Sequence, residues 1–305
     1  MNTAEHQNTA SVFVALVGRP NVGKSSLTNQ LVGEKVAIVT SKPQTTRTRI
    51  TGVITRDPVQ YIFMDTPGVH TARNQLGKRM DKVANDSIAD VDVTMMLFEP
   101  YGDLNESELA LIDALHHKPA IAIINKTDTV KKAEDLQSRV EQLEALGVFR
   151  GIYTVCVRTG EGCEQLFDVL AQFAQEGPHY FDEDAYTDMP EKELVAEMIR
   201  EKFLLFMRDE IPHGIAVVVE SFKERPSGDL IDIGANIYCE RESHKGMVIG
   251  KGGAMLKKIA TAARIDCEEF LGVRVNLQCW VKVKPDWRDN EFLLTQFGFK
   301  DTRKK

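Results

Sequence analysis

The spacing of apolar residues divides the chain into two parts. In the first part, short apolar runs rich in β-branched residues alternate with stretches whose apolar residues recur every three or four positions. The short runs predict buried parallel strands and the longer stretches predict helices. The predicted strands cover residues 12–17, 61–64, 91–98, 120–124 and 152–157, and the predicted helices 24–31, 76–89, 105–115, 134–146 and 163–173. This alternation predicts an α/β doubly wound domain over residues 11–174, with ligands beyond the carboxyl ends of its strands.

The second part has a different order of elements. Residues 175–190 are acidic and bounded by prolines and lack an apolar period, so we interpret them as a linker. After the linker the patterns predict a helix, two strands, a helix and a strand, at residues 191–207, 215–222, 230–239, 254–270 and 273–283. This order predicts a smaller α+β domain over residues 191–285. Residues 1–10 are expected to be disordered, and residues 286–305 to form a C-terminal tail.

Charge is distributed unevenly between the two parts. The net charge is −7, which is unexpected for a nucleic-acid-binding protein. Residues 191–305 hold 20 Lys and Arg against 19 Asp and Glu, so the acidic excess lies in residues 1–190. Six basic residues and one acidic residue lie within residues 241–264. This local excess is compatible with a nucleic-acid contact and equally with a solvated helix face.

Composition excludes several classes of protein. No apolar run is long enough to span a bilayer, and the first ten residues lack the pattern of a secretion signal. We therefore expect a cytoplasmic protein. The five cysteines form no CxxC pair, which argues against a disulfide framework or a zinc site.

The strongest motif is GxxxxGK[ST], which follows the first predicted strand and opens a predicted helix. In this context its backbone N–H groups close around phosphates, Lys24 reaches the β- and γ-phosphates, and Ser25 binds Mg²⁺. An ordinary glycine turn is the alternative, and the flanking strand and helix disfavour it. The predicted phosphate-binding residues are Gly18, Arg19, Pro20, Asn21, Val22, Gly23, Lys24, Ser25 and Ser26.

A second motif, Asp65-Thr66-Pro67-Gly68, follows the strand at 61–64. Asp65 is expected to hold Mg²⁺, and the N–H of Gly68 to contact the γ-phosphate. By itself this tetrapeptide would be a turn. Its position at a strand end, downstream of a phosphate loop, favours the catalytic interpretation.

The third motif, Asn125-Lys126-Thr127-Asp128, follows the strand at 120–124 and decides the base. A carboxylate here accepts both the N1–H and the 2-amino group of guanine. Adenine offers neither donor, so a buried Asp128 would be left unpaired. The order of the three motifs therefore predicts GTP and GDP as ligands.

Residues 43–47 form a polar loop between the first two motifs. A threonine here could close over Mg²⁺ and the γ-phosphate and so create an order–disorder switch. Thr46 is the first choice for this ligand and Thr45 the second, with an ordinary loop threonine as the alternative. The predicted catalytic residues are accordingly Lys24, Thr46, Asp65 and Gly68, and the predicted Mg²⁺ ligands are Ser25, Thr46 and Asp65.

These motifs, read in order as GRPNVGKSS, PQTTR and DTPG, resemble those of the Era family of GTPases. The resemblance implies a fifth, guanine-facing element, which in that family reads Ser-Ala-Glu. Alignment on the following Thr-Gly places Cys156, Val157 and Arg158 there instead, which leaves the side-chain role of this element undefined but is compatible with a main-chain contact to the guanine carbonyl. Val69 occupies the position where Ras-like GTPases have a water-orienting Gln, which predicts slow intrinsic turnover. The resemblance also suggests K⁺ at Asn21, with a loop-stabilising amide as an equal alternative.

A Gly-x-x-Gly loop precedes the helix predicted at 254–270. Such a loop lets the backbone approach phosphates, which is how KH domains bind about four nucleotides. The motif alone is weak, but the order of elements and the basic residues around it favour a type II KH domain that binds RNA. The predicted RNA-binding residues are Lys245, Gly250, Lys251, Gly252, Gly253, Lys257 and Lys258. Trp280 could stack a base, although a role in covering apolar surface is favoured.

A GTPase domain followed by a KH domain resembles the Era arrangement over about residues 11–290. The resemblance implies binding near the 3′ end of small-subunit ribosomal RNA and a GTP-timed role in 30S subunit assembly. It also implies peripheral association with the cytoplasmic face of the inner membrane, and we expect a monomer. The alternative is a GTP- and GDP-binding scaffold that acts on other RNAs without useful turnover.

Overall fold

The computed structural model describes residues 9–68 and 74–299. These residues form two compact units, which are described separately. Within them, no helix combines the length and the apolar character needed to cross a bilayer.

The first unit contains residues 9–37, 46–68 and 80–188. Its strands are β1 Ala10–Gly18, β2 Ile50–Arg56, β3 Val59–Asp65, β4 Val93–Phe98, β5 Ala120–Ile124, β6 Ile152–Thr154 and β7 Gln175–Glu176. The helices are α1 Lys24–Val32, α2 Gln75–Asp86 (which begins in residues grouped with the second unit), α3 Glu106–Leu115, α4 Ala133–Glu144 and α5 Gln165–Ala171.

The sheet of the first unit runs in the order β2-β3-β1-β4-β5-β6. Strands β3, β1, β4, β5 and β6 are parallel, as the buried apolar runs predict. Two apolar clusters line the faces of this sheet and contain most of the buried residues of the unit. The parallel strands bring the ends of β1, β3 and β5 to one edge of the sheet, and each of the three nucleotide motifs follows one of these ends.

Two antiparallel strands in this sheet were not predicted. β2 pairs with β3, and the two residues of β7 pair with β1. The segment interpreted as a linker is attached to this unit. The side-chain oxygen of Gln60 accepts hydrogen bonds from the N–H groups of two of the segment's residues, Tyr180 (2.8 Å) and Phe181 (3.0 Å).

The second unit contains residues 189–299 together with 38–45 and 74–79. Its elements after residue 189 are α6 Glu191–Phe206, β8 Ala216–Glu224, β9 Leu230–Cys239, α7 Glu242–Ile249, α8 Ala254–Leu271, β10 Arg274–Val283 and α9 Glu291–Gln296. β9 is the central strand, antiparallel to β8 and parallel to β10. An apolar cluster between the sheet and helices α6 and α8 forms the core.

The predicted order of this unit is wrong in one respect, because α7 was not expected. Its eight residues include Gly246 and only three apolar side chains, so no helical apolar stripe marks it. The observed order is α-β-β-α-α-β, with the Gly-x-x-Gly loop between two helices. Residues 286–299, predicted as part of a tail, pack onto this unit: the indole N–H of Trp287 donates to the carbonyl of Gly214 (2.9 Å), and the rings of Tyr238 and Phe297 stack.

Candidate nucleotide-binding site and RNA interface

The phosphate loop connects β1 to α1 in a conformation that requires glycine at its ends. Gly18 and Gly23 have positive φ angles, and a Cβ at Gly18 would lie 2.6 Å from the carbonyl oxygen of Leu97. Lys24 is buried, and its amine donates to the carbonyls of Gly18 (3.0 Å) and Arg19 (2.9 Å). Burial lowers the pKa of Lys24 to about 8, against the attraction of Asp65. The loop therefore holds the amine of Lys24 away from water. An anionic phosphate bound there would favour the protonated form of this amine.

The start of α1 leaves its first backbone N–H groups available. Gly23 is the N-cap, and within the described chain no side chain caps it. The first turn contains no acidic residue. An uncapped helix N-terminus with its positive dipole end is a favourable place for a phosphate.

Three predicted Mg²⁺ ligands converge beside Lys24. The hydroxyl of Ser25 donates to Oδ2 of Asp65 at 2.5 Å and lies 2.9 Å from the hydroxyl of Thr46. The Thr46 hydroxyl lies 3.3 Å from the same carboxylate oxygen. The hydroxyl of Thr45, the second choice, instead lies 2.7 Å from the hydroxyl of Thr40 and 2.7 Å from the carbonyl oxygen of Lys42. The structure thus brings Thr46, and not Thr45, to the other two predicted Mg²⁺ ligands, Ser25 and Asp65.

The surroundings of Asp65 fit a divalent cation. Its other carboxylate oxygen, Oδ1, is buried and has no hydrogen-bond partner among the described residues. Burial raises the pKa of Asp65 to about 6, although Lys24 and the hydroxyls of Ser25 and Thr46 oppose this effect. A buried carboxylate with one unpaired oxygen beside two hydroxyls offers the hard oxygen ligands that Mg²⁺ prefers.

The segment after Asp65 packs directly against the phosphate loop. The hydroxyl of Thr66 donates to the carbonyl of Leu16 at 2.7 Å. A Cβ at Gly68 would lie 2.7 Å from the backbone nitrogen of Pro20, so only glycine permits this approach. Val69, predicted to occupy the water-orienting position, lies outside the described residues.

The guanine motif is joined to the phosphate loop through Asn125. Its amide donates to the carbonyl of Val22 (2.9 Å), and its oxygen accepts from the N–H of Val157 (3.2 Å). Thr127 donates to the carbonyl of Val155 through its hydroxyl (3.2 Å). Lys126 adopts a positive φ and pairs with Glu99. These bonds connect the phosphate loop, the motif at 125–128 and the loop at 155–158.

Asp128 receives one donor on each carboxylate oxygen. The thiol of Cys156 lies 3.3 Å from Oδ1, and Nε of Arg158 donates to Oδ2 at 3.0 Å. The hydrogen bond from Cys156, which has the larger effect, and that from Arg158 hold the pKa of Asp128 below its usual value. The expectation of a buried Asp128 is wrong, because its side chain is 26 % exposed. The aligned fifth element nevertheless lies beside Asp128, the predicted base-reading residue.

One supporting residue was missed by the sequence argument. Arg19 of the phosphate loop pairs with Glu108, which is buried at the start of α3. Glu108 also completes a capping box with Asn105. The Asn-x-x-Glu spacing was a readable signal for this helix start, but its contact with the phosphate loop depends on the tertiary fold.

In the second unit, the Gly-x-x-Gly loop forms the exposed turn between α7 and α8. Gly250, Gly252 and Gly253 all have positive φ angles. A Cβ at Gly250 would lie 2.8 Å from Cβ of Met255, whereas no atom lies within 4 Å of a Cβ built at Gly252. Lys251 and Gly252 are exposed. The middle of the loop is therefore open to a phosphate backbone, and its first glycine is fixed by packing.

The predicted basic residues surround this loop unequally. Lys257 and Lys258 are exposed on α8, with the amine of Lys258 4.4 Å from the ring centre of Phe206. Lys245 lies 3.8 Å from Glu242 on α7. Trp280 is 49 % exposed on β10, and its indole lies over Gly234, where a Cβ would approach the ring to 3.1 Å. It thus covers the strand with one face and exposes part of its ring.

Comparison with protein families gives two matches in the order of the two units. A family described as "50S ribosome-binding GTPase" matches residues 13–126, and one described as "KH domain" matches residues 210–288. GTPase Era of Caldanaerobacter subterraneus subsp. tengcongensis is 46 % identical over 289 residues, covering 94 % of this chain and 97 % of that protein. GTPase Era of Clostridioides difficile is 42 % identical over 293 residues, covering 95 % and 99 %.

Solved structures agree with these matches. Era in complex with MgGDPNP and nucleotides 1506–1542 of 16S ribosomal RNA superposes with a TM-score of 0.91 at 33 % identity, over 95 % of this chain and 99 % of that chain. An Aquifex aeolicus Era variant bound to GDP and AlF₄⁻ gives the same TM-score, identity and coverage. The doubly wound domain and the KH domain predicted from sequence are confirmed by these matches.

Proposed function

Because this chain belongs to the Era family of GTPases, we propose that it binds small-subunit ribosomal RNA near its 3′ end and times that binding by GTP hydrolysis during 30S subunit assembly. The observation that supports this proposal most is the match, over nearly the whole chain, to an Era captured with MgGDPNP and a 3′ fragment of 16S RNA. The proposal needs a site for GTP and a surface for RNA. The residues around Lys24 and the exposed Gly-x-x-Gly loop would supply them.

The nucleotide site supplies positioning and charge. Lys24 would exchange its two carbonyl partners for phosphate oxygens, and the uncapped start of α1 would bind the same phosphates. Ser25, Thr46 and Asp65 would hold Mg²⁺, which when bound neutralises charge on the β- and γ-phosphates. Gly68 lies against Pro20 of the phosphate loop, and its N–H would contact the γ-phosphate. These residues would bind and orient GTP for attack by water.

Potassium is proposed as a second cation, at Asn21. This residue lies in the phosphate loop with a positive φ of 64° and is exposed, so its side chain can be reached from solvent. If Asn21 helps to bind the ion, turnover is faster in K⁺ than in Na⁺, and Asn21→Ala abolishes that difference. Equal rates in both salts for the unmutated chain would contradict the proposal.

The RNA target is tested by competition between defined RNAs. Fluorescence anisotropy would follow binding of a labelled RNA with the 3′-terminal sequence of 16S RNA, with a scrambled RNA of equal length and a 23S RNA fragment as competitors. Each titration is run with a non-hydrolysable GTP analogue and with GDP. We expect preferential binding of the 16S RNA and a difference between the two nucleotide states.

Two results would argue for the alternative scaffold. Equal affinity for all three RNAs would contradict a small-subunit target. Affinity for the 16S RNA that does not depend on the nucleotide, together with no stimulation of single-turnover GTP hydrolysis by that RNA, would contradict the timing role.

A further inference from the structure

Both carboxylate oxygens of the proposed guanine-reading residue, Asp128, have partners within the chain. Oδ1 of Asp128 receives the thiol of Cys156, and Oδ2 receives Nε of Arg158. These are the atoms that must accept the N1–H and the 2-amino group of guanine. The chain therefore supplies its own donors to the atoms that read the base.

The two donors differ in how firmly they are held. Cys156 is 1 % exposed, and its backbone N–H donates to the carbonyl of Glu161 at 2.9 Å. The buried thiol cannot move into solvent, so Cys156 keeps its contact with Oδ1 when a base binds. Cys156 is thus a fixed partner that orients Asp128.

Arg158 is the removable partner. Its side chain is 72 % exposed, and within the described ranges its pair with Asp128 is the one side-chain hydrogen bond recorded for it. Leaving this pair costs the guanidinium little, since it moves into water rather than into another buried contact. A planar guanidinium also presents N–H donors to a carboxylate in much the same way as the N1 and 2-amino groups of guanine.

Resting on the proposed GTP site, we propose that Arg158 is an affinity-setting residue that competes with guanine for Oδ2 of Asp128 and moves into solvent when the base binds. The pair must break before the base can bind, so it lowers the affinity for GTP and GDP. It also gives Asp128 a partner as the base departs, which favours exchange of GDP for GTP.

The size of the effect follows from the exposure of the pair. Ion pairs between exposed side chains have small coupling energies and are screened by salt. Removing the pair should therefore tighten GDP binding by about two- to fivefold at low ionic strength. At about 0.5 M salt the difference should nearly vanish.

The test is Arg158→Ala in the full chain, with the dissociation constant of a fluorescent GDP analogue measured at low and high salt. A matched control is Arg225→Ala, which breaks another exposed Arg–Asp pair, between Arg225 Nε and Asp232 Oδ2 (2.7 Å), in the second unit. We expect tighter binding for Arg158→Ala alone. The double variant Asp128→Asn, Arg158→Ala, assayed with a xanthosine diphosphate analogue, should bind like Asp128→Asn alone, because the pair is already absent.

Three results would overturn the proposal in different ways. Weaker GDP binding by Arg158→Ala would mean that the guanidinium contacts the nucleotide. Unchanged binding at low salt would mean that the pair does not compete with guanine. If neither the unmutated chain nor Arg225→Ala binds GDP, the nucleotide site itself is wrong, which is a failure of the proposed function and separable from the other two outcomes.

Discussion

The side-chain amide of Asn125 donates a hydrogen bond to the carbonyl of Val22 at 2.9 Å, and this bond joins the guanine motif to the phosphate loop. Both residues are buried. A Cβ at Gly23 would lie 2.2 Å from the same amide nitrogen, so the contact leaves no room for a side chain there. The two motifs proposed to bind opposite ends of a nucleotide are therefore packed directly against each other.

The first prediction concerns this bond. Asn125→Ala leaves the carbonyl of Val22 and the N–H of Val157 without their partner, and a buried unsatisfied group costs about 1–3 kcal/mol. We expect the free energy of unfolding to fall by about that amount, and GDP affinity to fall with it. Denaturant titration and calorimetry measure the two. Gln137→Ala, on the exposed face of α4, is the control and should change neither quantity.

Base choice should depend on Asp128. In Asp128→Asn the acceptor becomes an amide that can donate to the 2-oxo group of xanthine. We expect weaker GTP binding and stronger XTP binding, so that the ratio of the two affinities changes by at least about tenfold. Isothermal titration with both nucleotides measures this ratio, and an unchanged ratio would remove Asp128 from the base-reading role. Asp113→Asn, at an exposed position on α3, should keep the original preference.

Binding of Mg·GTP should depend on pH in two directions. Burial raises the pKa of Asp65 to about 6, so a proton competes with Mg²⁺ as the pH falls through that value. Burial lowers the pKa of Lys24 to about 8, so the amine loses its charge as the pH rises through that value. Affinity should therefore be highest between about pH 6 and pH 8 and fall on both sides.

A reference titration separates the two groups. With GDP in EDTA, the titrations of Lys24 and of the phosphates remain, whereas the competition between a proton and Mg²⁺ at Asp65 is absent. The difference between the profiles with and without Mg²⁺ should thus appear on the acid side alone. Identical acid limbs in the two conditions would show that Asp65 does not bind the metal.

The Gly-x-x-Gly loop gives the most selective test of RNA binding. Lys251→Asp together with Gly252→Asp places two carboxylates against RNA phosphates. We expect weaker RNA binding and a flatter dependence of affinity on salt, because fewer phosphates are neutralised. Gly252 has open space around its Cβ position but a positive φ of 59°, which aspartate adopts at a small cost. The melting temperature should therefore fall only slightly, by about as much as in the control variant below, and GDP affinity should hardly change.

The matched control for this pair lies in the same unit. Lys223→Asp with Gly228→Asp changes an exposed lysine and an exposed glycine of positive φ at the end of the sheet away from the loop. It has the same change of charge and should leave RNA binding nearly intact. Equal loss of RNA affinity in both double variants would indicate a general charge effect. No loss in either would move the RNA site to the face of Trp280.

The sequence alone determined the positions of the three nucleotide motifs and of the Gly-x-x-Gly loop. Each nucleotide motif follows an apolar run, and parallel strands bring their carboxyl ends to one edge of a sheet. Strand β2 was not predicted, although five of its seven residues are β-branched, which is a signal for a strand. Gly52 interrupts that run of β-branched residues. Helix α7 had no comparable signal.

Only the tertiary structure decided which side chains meet. The sequence placed Cys156 and Arg158 in a guanine-facing loop without a defined side-chain role, whereas the structure gives each an oxygen of Asp128. The structure likewise distinguished Thr46 from Thr45 as the residue beside Ser25, and it placed Glu108 beside Arg19. Local patterns report burial and backbone conformation, because these depend on near neighbours. Hydrogen bonds between residues far apart in sequence depend on how the elements pack, and the folded chain alone specifies that packing.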